Sequence, residues 1–150
     1  MRKLLVAVFA ATIVLFAACP SAPRAVSVDP RTSVEEAIFA AIEHYRAGII
    51  FTGASAYTVA SGDTLVSIAA DLYEDGFFYP LILLASSDVV LDPDRIAPGM
   101  DLTIPDLQRN LNNARSRASL RGFMLEIADI EYARGRGTTA AGIRDRANAL

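Results

Sequence analysis

The sequence predicts an α+β fold: one small module in the order strand, helix, helix, strand, with helical segments before and after it. Three patterns predict this. Residues alternate about Val59 in Tyr57-Thr58-Val59 and again in Leu102-Thr103-Ile104, the mark of short, half-buried strands. Between them Leu65, Ile68, Ala69 and Leu72, then Ile82, Leu83 and Ala85, recur at helical spacing. On either side, Ala37, Ile38, Ala41, Ile42, Tyr45 and Ile49, and later Leu107, Leu111, Ala114, Ala118, Leu125, Ala128 and Tyr132, each trace one apolar helical face.

From the start of the chain, Met1-Arg2-Lys3 is a positive opening followed by Leu4 to Ala18 without a charge. That run is shorter than the roughly twenty residues of a membrane-spanning helix, and it fits the apolar part of an export signal at residues 1–18. It ends Leu15-Phe16-Ala17-Ala18-Cys19, with small residues before the single cysteine of the chain. This resembles the lipobox of bacterial lipoproteins, with Phe16 where Leu, Val or Ile is usual and Leu15 one step earlier. The resemblance implies cleavage before Cys19, lipid on its thiol and anchorage at a membrane on the periplasmic side of a bacterial envelope. Several acyl chains at about 0.8 kcal/mol per buried methylene hold a protein stably there. Residues 19–32, with Pro20, Pro23 and Pro30, read as an extended tether.

Next comes an amphipathic helix over residues 33–50, with Ser33 and Glu36 at the spacing of a capping box and Gly48 near its end. His44, the one histidine, lies off the apolar stripe and reads as a solvated helix residue. The module occupies residues 56–106, and residues 107–150 form a helical segment broken at Gly135-Arg136-Gly137. Arg109, Arg115, Arg117 and Arg121 lie mostly off the stripe of that segment. They read as a solvated face neutralised by Glu126, Asp129 and Glu131.

Composition narrows the function. The net charge is −3, and loss of Arg2 and Lys3 with the signal takes it to −5. A nucleic-acid binder needs a cationic stripe to displace counterions from phosphates, so that class is excluded. With one cysteine no internal disulfide forms.

Within the module, Gly62 permits a tight turn and Asp63 is suited to cap the first helix. Asp75-Gly76 is a turn, Pro80 fits the first turn of the second helix, and Asp92-Pro93 and Pro98-Gly99 mark loops. Taken in order and register, Tyr57-Thr58-Val59, Gly62-Asp63-Thr64-Leu65, Ile68-Ala69, Tyr73, Ile82, Ala85, Asp92-Pro93, Ile96, Pro98-Gly99, Leu102 and Ile104-Pro105 resemble the LysM (lysin motif) family. The departures are Tyr79 for a tryptophan, Ser86 for an asparagine, Glu74 for a glycine and Met100 for a glutamine. The resemblance implies a βααβ module, two antiparallel strands packed by two helices, that binds N-acetylglucosamine glycans such as peptidoglycan.

The family's groove lies between the first strand–helix loop and the last helix–strand loop. Carried over, the glycan-binding residues are Gly62, Asp63, Thr64 and Leu65 on one side and Asp92, Pro93, Asp94 and Ile96 on the other. Leu65 and Ile96 would receive acetyl methyl groups, and backbone groups would hold the acetamide. Asp88, Asp92 and Asp94 lack the glycine and terminal glutamate of an EF-hand loop, so no metal is expected, and no cofactor.

Catalysis is poorly provided for. A zinc hydrolase needs several histidines, a cysteine peptidase needs a thiol besides Cys19, and a glycosidase needs two carboxylates across a cleft. The expectation is a non-catalytic, lipid-anchored peptidoglycan tether. The alternative is an envelope interaction protein whose module has lost sugar binding and whose flanking helices dock a protein partner.

Overall fold

The computed structural model describes residues 30–150; the expected export signal, Cys19 and the tether up to residue 29 lie outside them. The first helix, α1, runs from Pro30 to Tyr45. It starts ahead of the expected cap at Ser33, because proline has its φ preset and no N–H to leave unbonded, and so favours the first helical position. Ser33 and Glu36 therefore lie inside the helix rather than at its cap. Ile38, Ala41 and Ile42 form its buried face, continued by Ile49 beyond a 3-10 turn at Arg46–Gly48, whereas Ala37 is exposed. His44 is exposed as expected, edge-on to Tyr45.

Strand β1 (Ser55–Thr58) pairs antiparallel with β2 (Asp101–Ile104), Tyr57 opposite Leu102. The pairing continues past the strands, where Val59 N–H donates to Met100 O and Gly99 N–H to Val59 O, both at 2.8 Å. Between the strands lie α2 (Leu65–Tyr73) and, after a 3-10 turn at Gly76–Phe78, α3 (Tyr79–Ala85) with Pro80 in its first turn. The order strand, helix, helix, strand and the α+β class are thus as the sequence patterns predict. Leu65, Ile68 and Ala69 form the inner face of α2; Leu72, placed on that face by spacing, is 45% exposed. Ser86, where the family pattern has asparagine, still spans the gap to β2: its Oγ accepts from Thr103 N–H at 2.9 Å.

Helix α2 closes on Glu74 with φ +61°, a left-handed conformation, at the position where the family pattern has glycine. An L-residue there costs on the order of 1 kcal/mol, offset in part by the extra unfolded-state freedom of glycine. Glu74→Gly is therefore expected to stabilise the protein by roughly 0.5–1 kcal/mol, read as a higher urea midpoint at unchanged slope. A lower midpoint would mean that the Glu74 side chain contributes more than its backbone costs.

All seven residues of α3 are buried. A helix without a polar face must be covered all round, and the segments outside the module cover it. Three helices follow β2: α4 (Leu107–Asn112), α5 (Ala114–Ala133) and α6 (Gly137–Asn148). Asn113 separates α4 from α5. Its backbone is extended and its side chain accepts from Ser116 N–H at 3.0 Å, so it caps a new helix rather than continuing the old one. The break resets the helical phase. Leu120, Phe123, Met124, Ile127 and Ala128 face inward, while Ala114, Ala118 and Tyr132 of the expected stripe face solvent.

The expected neutralisation of the arginines of α4 and α5 is likewise replaced by other pairings. Arg109 pairs with Asp106, Arg117 donates to Leu111 O, and Arg121 donates to Asn148. Asp129 pairs with Arg144 of α6, and Glu131 is buried.

Polar clasps fasten these helices to the module. Arg46 donates to Leu84 O at 2.8 Å and to Ser87, so a cation meets the carbonyl end of α3. Asn110, fully buried, exchanges hydrogen bonds with the backbone of Ile50 at 2.9 and 3.0 Å and also bonds Asp106 O and Ser116. A satisfied buried network of this kind specifies one docking geometry. At Gly142 a Cβ would come within 2.3 Å of the Phe77 ring, so α6 sits directly on the turn before α3. One continuous apolar core, from Ile38 through Leu81 to Ile143, results.

Candidate functional site: a cleft shared by two loops and the end of α5

The first loop is built by a turn from Ala60 to Asp63, closed by Asp63 N–H to Ala60 O at 3.3 Å, with Gly62 at φ +94°. Position i+2 of such a turn needs a positive φ, which glycine supplies without strain. Asp63 does not cap α2 as its residue type suggested. Its carboxylate accepts from Tyr57 Oη–H and from Ala60 N–H, both at 2.8 Å, and so draws the turn against β1. The same carboxylate raises the Tyr57 phenol above its ordinary pKa. The cap is Thr64, whose Oγ1 accepts from Ser67 N–H while Ser67 Oγ accepts from Thr64 N–H. Two potential caps stand side by side, and the reciprocal box with Ser67 satisfies one more orphan donor than Asp63 alone would.

The second loop is folded around Asp92. This side chain is 7% exposed, accepts from Asp94 N–H at 3.1 Å, and pairs with Arg134 at 3.1 Å. Asp92 thus sets the loop, and its neighbour Asp94 reaches the surface.

Between the loops lies a cleft of about 320 Å³. Asp63, Thr64, Leu65 and Val66 line one side, and Pro93, Asp94 and Ile96 the other. Of the eight residues carried over from the resemblance, six meet here. Gly62 and Asp92 do not line it; they shape the loops that do. Leu65, at 1% exposure, belongs to the core and reaches the cleft only at its base.

Five further lining residues were not foreseen as site residues: Val66 in the first turn of α2, Tyr79 at the start of α3, and Glu131, Arg136 and Thr139 from the end of α5 and the start of α6. Tyr79 and Glu131 are buried at 2% and 1%, and the phenol stands beside the carboxylate. Burial first, and Glu131 second, push the Tyr79 phenol far above its ordinary range, so it stays protonated. Glu131 also pairs with Arg134 at 3.4 Å and with Arg136 at 3.2 Å. Asp94 closes the network from the opposite loop, bonding both Arg134 and Arg136. The Arg136 guanidinium, foremost, holds the Asp94 carboxyl below its ordinary value, and Asp94 in turn raises the pKa of Arg136. The polar rim is therefore committed to internal bonds, which presets the shape of the cleft before a ligand arrives.

A two-loop cleft over a strand–helix–helix–strand core is the geometry of a small binding module. Its family is plain from sequence: residues 57–105 match the LysM domain, and this chain carries one. LysM domains bind N-acetylglucosamine glycans such as peptidoglycan and are generally non-catalytic. The chain is similar to the potassium binding protein Kbp of Escherichia coli O6:H1, with 40% identity over 55 residues, which are 37% of this chain and 37% of that protein. The chain thus covers little more than a third of that relative's length. No solved structure matches it significantly.

Proposed function

We propose that this protein is a non-catalytic tether that grips peptidoglycan through its LysM cleft and a bacterial membrane through lipid on Cys19. The observation that carries the glycan part is the meeting of Asp63, Thr64, Leu65, Pro93, Asp94 and Ile96 around one cleft. The cleft suits an acetamido sugar: Val66 and Ile96 offer apolar contact for acetyl methyl groups beside polar loop backbone. Its carboxylates argue against hydrolysis as the role, since Asp94 and Glu131 are both ion-paired to arginine and neither is held as a free acid or base. The membrane part rests on the sequence around Cys19 and on the physics of acyl anchorage. Two-point attachment, on membrane and wall at once, raises the effective concentration at a shallow single site. The alternative, in which the flanking helices dock a protein partner, is less favoured because their apolar faces are already used against the module.

The test is sedimentation of the full chain, held in mild detergent, with purified insoluble peptidoglycan. Saturable pelleting is expected, lost in Thr64→Arg, which fills the cleft, and kept in Asn113→Ala, which removes only the cap of α5, outside the cleft, at a cost of about 1 kcal/mol. Absence of pelleting by the folded parent would overturn the glycan reading. Palmitate labelling of the expressed chain, expected to vanish in Cys19→Ser, tests the anchor separately.

A further inference from the structure

The LysM match ends at residue 105, yet the cleft does not end there: Glu131, Arg136 and Thr139 line it too. We propose that Arg136 and Thr139, supplied from outside the LysM domain, are ligand-contacting residues that form a third wall of the sugar cleft. The inference rests on the glycan reading above and adds residues that the LysM pattern does not contain.

The two side chains are suited to contact and their neighbours to support. Glu131 and Tyr79 are buried and serve as a base, whereas the Arg136 side chain is 37% exposed and Thr139 is partly exposed. The Thr139 hydroxyl has no hydrogen-bond partner among the described residues, although it stands in a cleft whose other polar groups are largely paired. Arg136 is held in position by Asp94 from the second loop and by Glu131 from below, so its guanidinium needs no reorientation when a ligand arrives.

The charge balance names the ligand class. Three carboxylates, Asp63, Asp94 and Glu131, line the cleft against the one guanidinium of Arg136. Arg134 and Arg136 together share Asp92, Asp94 and Glu131, so Arg136 has little net charge to offer an anion, but its N–H edges remain directional donors. The wall therefore reads uncharged groups, sugar hydroxyls and acetamide carbonyls, and disfavours a sugar that brings its own carboxylate.

The test is titration of the full chain in mild detergent with the uncharged N-acetylglucosamine tetramer. Thr139→Trp, which fills the third wall, is expected to weaken binding roughly tenfold or more, and the near-isosteric Thr139→Val by a few-fold. Thr138→Trp, at the exposed neighbour outside the cleft, should bind as the parent does. Parental affinity in both Thr139 variants would overturn the third wall while leaving the LysM cleft intact. Should Thr139→Trp fail to fold, Thr139→Val decides. A folded parent that does not bind the tetramer would overturn the glycan reading and this inference with it.

Discussion

Removal of residues 107–150 is expected to abolish cooperative folding of the remainder rather than trim its stability. Leu120, Phe123, Met124 and Ile127 of α5 are fully buried, as is Ile143 of α6. At about 1.5–3 kcal/mol for each large apolar side chain, the loss is on the order of 10 kcal/mol. A domain of this size has only about 5–15 kcal/mol in total. The loss is also placed badly, since α3 has no polar side to turn to water once α5 is gone. Residues 30–106 should therefore show no cooperative melt by circular dichroism and poor amide dispersion by NMR. A truncated chain that melts within a few degrees of the parent would show that the module stands alone and that the helices cover it without holding it.

This dependence explains which parts of the fold were legible in sequence. The strands and helices of the module follow local periodicity, and Gly62 and Pro80 mark their turns by backbone chemistry that needs no partner. The all-apolar run Tyr79–Ala85 was also legible as a helix, and its lack of a polar residue was the available signal that something else must cover it. What covers it was less so. The buried face of α5 is not the one that unbroken spacing from Leu107 predicts, because at Asn113 the chain leaves the helix and restarts. Asp63 and Thr64 stand in adjacent positions and both suit a cap by residue type, and only the positions of Tyr57 and Ser67 decide between them.

The candidate site divides in the same way. Its two loops were legible because a family pattern runs through them in order. Its third wall was not, because Arg136 meets Asp94 across 42 residues of chain and no local spacing encodes that meeting. Gly135-Arg136-Gly137 could be read only as a helix break. The break brings Arg136 back over Glu131, so the punctuation itself positions the site residue.

Glu131→Ala is expected to destabilise the protein by about 3 kcal/mol, the usual cost of removing one partner from a buried ion pair. The carboxylate is 1% exposed and pairs with Arg134 and Arg136 beside the Tyr79 phenol. Its removal takes from each guanidinium one of its anions and leaves a void beside the buried Tyr79 ring. Asp94 still holds both arginines, and the ion pairs at that more exposed side chain are individually weak. Glu131→Gln keeps the volume and an acceptor for the two guanidiniums while deleting the charge, so its loss should be smaller, roughly 1–2 kcal/mol. The difference between the two variants separates the hydrogen bond and packing from the charge, and urea midpoints at constant slope measure both. Equal and small losses in the two would mean that Arg134 and Arg136 are held by Asp92 and Asp94 alone. In the expected case the cleft should suffer with the fold. Glycan pelleting by Glu131→Ala, measured well below its lowered melting temperature, should weaken because Arg136 loses the support beneath it. Asn113→Ala, destabilised by about 1 kcal/mol through loss of the α5 cap and lying outside the cleft, should pellet as the parent does.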